Sequence, residues 1–408
     1  MRSPVRHRPG QAVTPPSGRR SRRRLRERRS VQVIAGLLVV VVVWLSWSVG
    51  TALTTAGGGS LAQRMAEWAR GHYLGPVITL GEWITYQPPK VGGKPSFALT
   101  GPSSPPSSPA GGSAASTSPG HSRHKAHHAA VFAAPHRLAS PAGRPLRGEG
   151  VWRVAYSVGR QPAIYTTFLR PDRVHTSYVA GLVSMNPKLL KFQLRPGVED
   201  PGPGSYGGAQ PILAPGHRRG IAATFNGGFK IASAEGGFFL NGTYRGALVR
   251  GAATIVYYRN GTIKIGVWGK HLHMTPNVVG VRQNLRPIVA HGRIPSTVDQ
   301  NVESTWGATL GGGFYVWRSG IGVTSTGRVI YVYGPALDVR TLASLLKRAG
   351  AVEAMELDIN PDWTNFMYYR PGGHPANPTP VSLLPDQVQP AARYYSLTNR
   401  DFTAVFAR

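Results

Sequence analysis

An uncharged run of residues near the N-terminus, VQVIAGLLVVVVVWLSWSVGTAL (residues 31–53), most constrains what this chain can fold into. As a helix rising about 1.5 Å per residue, it spans roughly 34 Å, enough for the hydrocarbon core of a bilayer. A secretory signal peptide is the alternative, but its apolar region is shorter, about 7 to 15 residues, and ends at a small-residue cleavage site. The length therefore predicts a retained transmembrane helix whose partner is a lipid bilayer.

The arginine-rich run RRSRRRLRERR (residues 19–29) lies directly before this apolar run. Basic residues beside a span favour the cytoplasmic side, and Trp44 and Trp47 lie toward the other end, where interfacial aromatic residues are common. The arginines alone would also suit nucleic acid, but their position beside the span explains them better. We predict a single-pass cell-membrane protein with a basic cytoplasmic tail (residues 1–30), an extracytoplasmic C-terminal domain and no nucleic-acid partner.

Two segments lie between the span and the C-terminal domain. Residues 54–89 contain SLAQRMAEWARGHYLG, in which Leu61, Met65 and Trp68 have helical spacing. This pattern predicts a juxtamembrane amphipathic helix, with a plain helical stalk as the alternative. Residues 90–148 are rich in Pro, Ser, Gly and His, a composition that cannot bury enough apolar surface to fold, and are predicted to be a disordered linker. The tract HSRHKAHH within it offers imidazoles to a metal, but the entropy of ordering a linker opposes binding.

The remaining residues, 149–408, form one predicted globular domain. Cysteine is absent from the chain, which excludes disulfides, thiolate metal sites and a cysteine nucleophile. Strand patterns recur in VWRVAYSV, TTFLR, HTSYVAGLVSM, GIAATF, ATIVYYRNGTIKIGVW and RVIYVYG, with a hairpin turn at Asn260 and Gly261. The segment DVRTLASLLKRAG predicts a helix that begins at the N-cap Asp338 and stops at Gly350. These patterns predict an α+β or mixed α/β fold, a strand-rich mixed sheet with few helices.

The segment AVEAMELDI after this helix gathers carboxylates in a chain with 17 acidic and 47 basic residues. Alternate residues of a strand share a face. We therefore expect Met355, Leu357 and Ile359 to pack against the helix and Glu356 and Asp358 to project together from the other face. A carboxylate pair raises one pKa and suits general-acid chemistry. The alternative is a structural network with the domain's many arginines.

The loop NPDWTNF beyond this strand adds Asn360, Asp362 and Trp363. A polar loop with an aromatic ring at a strand end is typical of a small-molecule site, and Trp363 offers a ring for stacking on a sugar. Asp358, Asn360 and Asp362 alternate as oxygen ligands of Ca²⁺ do, but Pro361 and the missing downstream pattern argue against an EF-hand. No cofactor is predicted, and a divalent metal stays open.

Two further segments carry candidate binding residues. In AATFNGGFK, a strand ends at Asn226, and Gly227 and Gly228 then allow positive φ and close approach of a ligand to the backbone. Main-chain N–H groups of such a turn can form a nest for an anionic oxygen, although most such sequences are ordinary turns. In WRSGIGV, Arg318 offers a planar fork of donors for phosphate or carboxylate and Ser319 adds a hydroxyl, the alternative being a surface arginine at a strand start.

The order of these segments resembles the phosphodiester glycosidase family. NGGF at residues 226–229 matches the family's Asn-Gly-Gly-Phe-like segment, and RSGIG at 318–322 matches its Arg-Ser/Thr-Ala-Ile/Val-Gly segment with Gly320 in place of Ala. RQNLRPIVAHGR (residues 282–293) resembles the segment between them. Leu357 and Asp358 match the start of Leu-Asp-Gly-Gly-Gly-Ser, but INPD follows instead. With its anchor and ELDINPDW, the chain resembles an actinobacterial subgroup of the family.

The resemblance implies an extracytoplasmic hydrolase, tethered to the membrane, that acts on a sugar phosphodiester or a phosphate-bearing envelope glycan. Asp358 and Glu356 would be the catalytic carboxyl groups, and Arg318 with residues 226–228 would hold the phosphate. The changed third motif supports an alternative, a non-catalytic glycan-binding module of the same fold. Both hypotheses require Asn226, Arg318 and Asp358 to converge on one pocket.

Overall fold

The structure of the protein is a computed structural model, and it describes residues 18–54, 86–100, 133–300, 303–307, 313–372 and 376–408, with residues 64, 65, 68, 69, 72, 74 and 374. The chain divides into two compact units. The first contains the N-terminal helix and residues 61–72, and the second contains the strand-rich remainder.

The first unit is built on helix α1, Gly18–Thr54. Its segment Gln32–Thr54 has a mean hydropathy of 2.4 and is long and apolar enough to cross a membrane, a test that a signal sequence also passes. Apolar side chains along it, such as those of Val40 and Trp47, are exposed rather than packed in a core. The helix is thus consistent with the predicted membrane span or with a signal anchor. Which of its ends faces the cytoplasm stays a prediction.

Part of the predicted amphipathic helix packs on the end of α1. Residues 64, 65, 68 and 69 are helical. Trp68 Nε1 donates a hydrogen bond to Ser48 Oγ at 2.9 Å, and the His72 ring stacks on Trp68 with 4.5 Å between centroids. These contacts fix the described residues against α1 within the first unit.

The structure differs from the predicted linker at both of its ends. Lys90 N donates to the Tyr178 hydroxyl at 3.1 Å, and Leu99 is buried in the main core. At the other end, Glu149 accepts hydrogen bonds from Ser140 Oγ and from the Arg170 side chain. Composition predicted a disordered linker over residues 90–148, yet residues 90–100 and 133–148 pack against the folded unit, without regular secondary structure. The Pro/Ser/Gly-rich middle and the histidine tract lie outside the described residues.

The second unit is made mostly of strands. In chain order they are β1 (Arg153–Val158), β2 (Gln161–Leu169), β3 (Ala180–Met185), β4 (Leu190–Arg195), β5 (Ile221–Asn226), β6 (Phe238–Leu240), β7 (Thr243–Arg245), β8 (Ala253–Tyr258), β9 (Ile263–Val267), β10 (Val278–Gln283), β11 (Pro287–Val289), β12 (Val316–Thr324), β13 (Val329–Leu337), β14 (Ala351–Glu356), β15 (Phe366–Arg370), β16 (Thr379–Ser382) and β17 (Phe402–Ala407).

These strands form three sheets with the orders β1-β2-β3-β13-β12-β14-β11, β7-β6-β10-β8-β9 and β16-β15-β5-β17-β4. Every ladder between these strands of the described chain is antiparallel, so the strand-rich class is confirmed. The predicted hairpin is also present, since β8 and β9 pair around a turn in which Gly261 has φ of 80°.

Among the described residues of the second unit, two helices occur, the single turn α2 (Glu303–Trp306) and α3 (Val339–Arg348). The Asp338 side chain caps α3 by accepting from Thr341 N at 2.7 Å, and Gly350, with φ of 98°, follows its end. Both signals were predicted. Helix α3 connects β13 to β14, which run parallel to each other because both are antiparallel to β12 between them.

The seven-stranded sheet is buried on both faces. Tyr331 of β13 lies in a core shared with the other two sheets, whereas Ile330 and Val332 pack on the α3 side. In β14, Met355 lies in the shared core and Ala354 on the α3 side. Alternation alone does not say which face meets the helix when both faces are buried.

The expected arrangement of the apolar face around β14 is therefore wrong. Met355 and Leu357 pack in the shared core rather than against α3. Strand β14 ends at Glu356, so the alternation does not continue to Ile359, which packs in the cluster on the α3 side.

Candidate functional site

Two of the predicted site segments meet at Ser319. Asn226 is the last residue of β5, and its Nδ2 donates to Ser319 Oγ at 2.9 Å. The same hydroxyl donates to the main-chain oxygen of Asp358 at 2.8 Å, just beyond β14. Tyr331 from β13 donates to Asn226 Oδ1 at 2.6 Å and fixes the amide. Strand ends from two sheets are thus joined by buried hydrogen bonds.

A narrow pocket, with about 10 Å³ of space that admits a water-sized molecule, opens beside this junction. Its lining residues from the predicted site are Asn226, Gly227, Gly228, Asp358 and Trp363. The others are Asn365, Arg393, Tyr394, Thr398, Arg400 and Asp401. Polar and charged side chains from distant parts of the chain therefore converge here, and most of them are buried.

Ion pairs organise the floor of this pocket. Arg400 Nη2 lies 3.2 Å from Asp358 Oδ2. Arg282 binds Asp401 through two donors, Nε to Oδ2 at 3.0 Å and Nη2 to Oδ1 at 3.1 Å. Asp200 lies 3.7 Å from Arg400 and 4.0 Å from Arg282. Burial raises the pKa of both Asp358 and Asp401, and the facing arginines oppose that rise.

Trp363 holds two arginines at the pocket. The guanidinium carbons of Arg393 and Arg400 lie 5.3 Å and 5.4 Å from its ring centroid, within the range of cation–π attraction. The indole is only 4% exposed, which does not support the predicted stacking of this ring on a sugar. Its observed contribution is to orient two cations.

The two glycines of the NGG segment make room for other side chains. A Cβ on Gly227 would lie 2.5 Å from Asp401 Cγ, and one on Gly228 would lie 2.9 Å from Asn284 Oδ1. Neither glycine has positive φ, contrary to expectation. Gly227 N donates to Asp401 O, and Phe229 N donates to Asn284 Oδ1. These two N–H groups are therefore used within the protein rather than presented to an anion.

Arg318 and Glu356 do not line the pocket. Arg318 Nη1 donates to Glu356 Oε1 at 2.6 Å, while its other donors bind the main-chain oxygens of Leu337 and Phe314. Burial raises the pKa of Glu356 to about 7, with Arg318 opposing the rise. Glu356 therefore belongs to a structural network with an arginine, the alternative considered from the sequence. The expectation that it would share a site with Asp358 is not met, because Glu356 does not line the pocket.

The position of this ion pair follows from the sheet. Glu356 lies opposite Gly320 of β12. A Cβ on Gly320 would lie 3.0 Å from Leu346 of α3, so this face of the sheet meets the helix. The predicted phosphate-binding Arg318 thus sits next to Ser319 in sequence but on the opposite face of β12.

Asn360 and Asp362 shape the loop after β14. Asn360 N donates to Asp358 Oδ1 and Asp362 N donates to Asn360 Oδ1, both at 2.9 Å. The alternating oxygens are therefore engaged by main-chain donors in two successive turns. Nowhere in the described chain do three His, Asp or Glu residues cluster closely enough to hold a metal ion.

Sequence analysis missed the contribution of the segment AARYYSLTNRD, which precedes β17. It supplies Arg393, Tyr394, Thr398, Arg400 and Asp401 to the pocket. The available signal was a pair of charged residues, NRD, directly before the apolar strand pattern FTAVFA.

Two further residues that support the pocket lie in RQNLRPIVAHGR (residues 282–293), a segment from which no site residue was predicted. Arg282 fixes Asp401, and Asn284 Nδ2 donates to the Glu356 main-chain oxygen at 3.0 Å. Both support the pocket from behind rather than line it.

Comparison with known proteins yields no matching family model and no matching curated protein. Among solved structures, the chain is similar to the zebrafish N-acetylglucosamine-1-phosphodiester alpha-N-acetylglucosaminidase catalytic domain auto-inhibited by its pro-peptide, at 12% identity and a TM-score of 0.38, covering 68% of this chain and 96% of that one. It is also similar to a hypothetical protein from Synechocystis, at 12% identity and a TM-score of 0.36, covering 61% and 63%. A putative exported protein from Burkholderia pseudomallei matches at 10% identity and a TM-score of 0.30, covering 56% and 74%. Similarity at this level assigns neither an activity nor a substrate to this chain.

Proposed function

We propose that the pocket hydrolyses the glycosidic bond of a sugar phosphodiester, or of a phosphate-bearing envelope glycan, outside the cytoplasm. One observation carries the proposal. The NGG segment and Asp358, two of the three segments that resemble phosphodiester glycosidases, line one pocket together with two arginines. Helix α1 would hold the domain at the cell membrane, in keeping with its length and composition.

The arginines provide a site for the phosphate. Arg393 and Arg400 both line the pocket and flank Trp363. Guanidinium groups bind phosphate oxygens through paired, charge-assisted hydrogen bonds. These residues replace Arg318 as the proposed phosphate ligands, because the Arg318 guanidinium already donates hydrogen bonds to Glu356 and to two main-chain oxygens.

The two buried carboxyl groups of the pocket divide the acid and base chemistry. A glycosidase needs one group that protonates the leaving oxygen and a second that attacks the sugar or activates water. Asp358, which has a single arginine at 3.2 Å, is the proposed acid. Asp401 is the proposed second group, because the two donors from Arg282 favour its ionised form. It replaces Glu356, which lies on the other face of the sheet.

The size of the pocket restricts what it can hold. The space that admits a water-sized molecule is only about 10 Å³, room for roughly one water. A phosphoryl group or a sugar ring therefore enters only if the lining side chains move apart, and an extended glycan does not fit inside.

A non-catalytic glycan-binding module is the second candidate. It is favoured by INPD in place of Gly-Gly-Gly-Ser and by the pairing of both pocket carboxylates with arginines. Ion pairs of this kind also occur in purely structural networks.

The two candidates separate in one experiment. The full-length chain, solubilised in detergent, is incubated with a methyl phosphodiester of a hexose 1-phosphate, and free sugar is measured beside Asp358→Asn and Asp299→Asn. Asp299→Asn is the matched control, since this residue is exposed, pairs with the exposed Arg340 and does not line the pocket. If the pocket hydrolyses the diester, Asp358→Asn should release sugar about 100-fold or more slowly than wild type, the usual contribution of a general acid. The control should release sugar at nearly the wild-type rate. If all three proteins released sugar only at the background rate while wild type still bound the diester, the hydrolase proposal would be wrong and the glycan-binding module would be supported.

A further inference from the structure

A second and larger concavity lies along strand β4, with about 680 Å³ of space that admits a water-sized molecule. Its lining residues are Lys191, Phe192, Gln193, Leu194, Arg195, Gly207, Gly208, Ala209, His217, Leu240, Asn241, Tyr257, Tyr258, Arg259, Asn260, Gly261, Val279 and Arg408. None has an acidic side chain, and four of them are lysine or arginine. We call this concavity the β4 groove.

The cations of the β4 groove are spaced by the strand itself. Leu190, Phe192 and Leu194 point into the shared core, so the side chains of Lys191 and Arg195 lie on the opposite, outer face of β4. At about 3.4 Å per residue in an antiparallel strand, their Cα atoms are roughly 13 Å apart. A single small anion does not span that distance, whereas a polymer with repeated acidic groups does.

Among the described residues, no carboxylate side chain pairs with the cations of the groove. Within the described residues, Lys191, Arg195, Arg259 and Arg408 form no ion pair. Arg195 is partly buried, and burial lowers its pKa. Its Nη2 donates to Gln193 Oε1 at 3.0 Å, an uncharged acceptor that orients the guanidinium without cancelling its charge. A partly desolvated cation of this kind is stabilised when an anion binds beside it.

Amide groups lie among the cations. Gln193, Asn241 and Asn260 all line the groove. An adjoining concavity shares Arg259 and Asn260 and extends past Lys264. Alternating cationic and amide side chains match a ligand that carries both acidic groups and hydroxyl groups, which describes an acidic polysaccharide.

We propose that the β4 groove binds a linear anionic polysaccharide through its repeated carboxylate or phosphate groups. The site is concave, so a flat bilayer surface does not reach the partly buried Arg195. It is also separate from the Asp358 pocket, with which it shares no lining residue. Binding here does not require hydrolysis at the pocket.

The test measures binding of full-length protein in detergent to polygalacturonate, to phosphorylated dextran and to neutral dextran. The groove variant is Lys191→Ala/Arg259→Ala, two exposed side chains. The matched control, Lys270→Ala/Arg286→Ala, removes the same charge from exposed positions that do not line the groove. We expect the acidic polymers to bind and dextran not to, with affinity falling as salt rises. The groove variant should bind roughly tenfold more weakly, and the control should match wild type.

Several outcomes would overturn the proposal. Equal weakening by the groove variant and the control would show that net charge, rather than this groove, attracts the polymer. Binding of dextran as tightly as polygalacturonate would remove the role of the cations. If the protein bound anionic lipid vesicles but neither acidic polymer, the cations of the groove would serve to bind a membrane surface instead. Preference between the two acidic polymers distinguishes carboxylate from phosphate recognition. Asp358→Asn should keep wild-type polymer affinity, which separates this site from the proposed hydrolysis.

Discussion

Gly227→Ala tests whether the NGG segment serves to admit Asp401. The added Cβ would lie 2.5 Å from Asp401 Cγ and 2.8 Å from its main-chain oxygen. An ordinary carbon–carbon contact is about 3.5 Å or more, so the carboxylate must move by roughly 1 Å. Its hydrogen bonds to Arg282, now 3.0 Å and 3.1 Å, would then lengthen to about 4 Å and be lost.

The size of the effect follows from these contacts. Overpacking costs about 1 to 3 kcal/mol, and each hydrogen bond to a charged group contributes about 1.5 to 3 kcal/mol. Since partial relaxation recovers some of the loss, we expect the free energy of unfolding to fall by about 3 to 5 kcal/mol. For a domain of this size, the melting temperature should fall by roughly 10 °C.

The measurement is thermal unfolding followed by near-ultraviolet circular dichroism of the full chain in detergent. Gly216→Ala is the matched control, because its Cβ would meet nothing within 4 Å and its φ is not positive. That variant should stay within about 0.5 kcal/mol of wild type. If Gly227→Ala were as stable as Gly216→Ala, the inferred packing of Asp401 against residue 227 would be wrong.

Two further predictions concern the polar core. Because the pKa of Glu356 rises from 4.5 in the unfolded chain to about 7 in the folded one, its contribution to stability is complete below pH 4.5 and is lost as pH rises through 7. Urea titrations should therefore show Glu356→Gln gaining about 2 to 3 kcal/mol of stability relative to wild type between pH 5 and pH 8; no shift would contradict the raised pKa. Ser319→Ala removes the hydroxyl that joins Asn226 to Asp358, and urea unfolding should show a loss of about 1 to 3 kcal/mol, whereas an unchanged midpoint would show that the junction contributes little.

The features that could be predicted from the sequence are local. Helix α3 was signalled by its N-cap Asp338 and by Gly350, and the β8–β9 hairpin by Asn260 and Gly261. Each signal acts within a few residues and does not depend on distant contacts. The apolar run before Leu53 is equally local, and it lies within a helix that could cross a membrane.

Prediction failed where distant segments decide the outcome. Arg318 and Glu356 look suited to a ligand, but their partner is each other, across β12 and β14. Gly227 and Gly228 suggested an anion nest, but the side chains of Asp401 and Asn284 fill that space. No pattern within a window of sequence shows which distant side chain will occupy a glycine's free volume.

The candidate site was predicted in part for the same reason. Asn226 and Asp358 end apolar strands, a position that sequence patterns identify well, and the structure brings both to the pocket. Arg400 and Asp401 also flank a strand, but they matched no motif. Their importance comes from pairing with Asp358 and Arg282, contacts that only the folded sheets create.

The position of β5 within its sheet has a consequence for how the protein is made. Its ladder neighbours are β15 and β17, which follow it by most of the length of the domain. During synthesis, β5 therefore lacks its first neighbour until residues 366–370 emerge and its second until residues 402–407 emerge, and contacts this distant in sequence form slowly. The segment holding Arg400 and Asp401 comes immediately before that strand. The pocket is thus among the last parts of the domain to form, and no earlier intermediate on the growing chain holds its charges together.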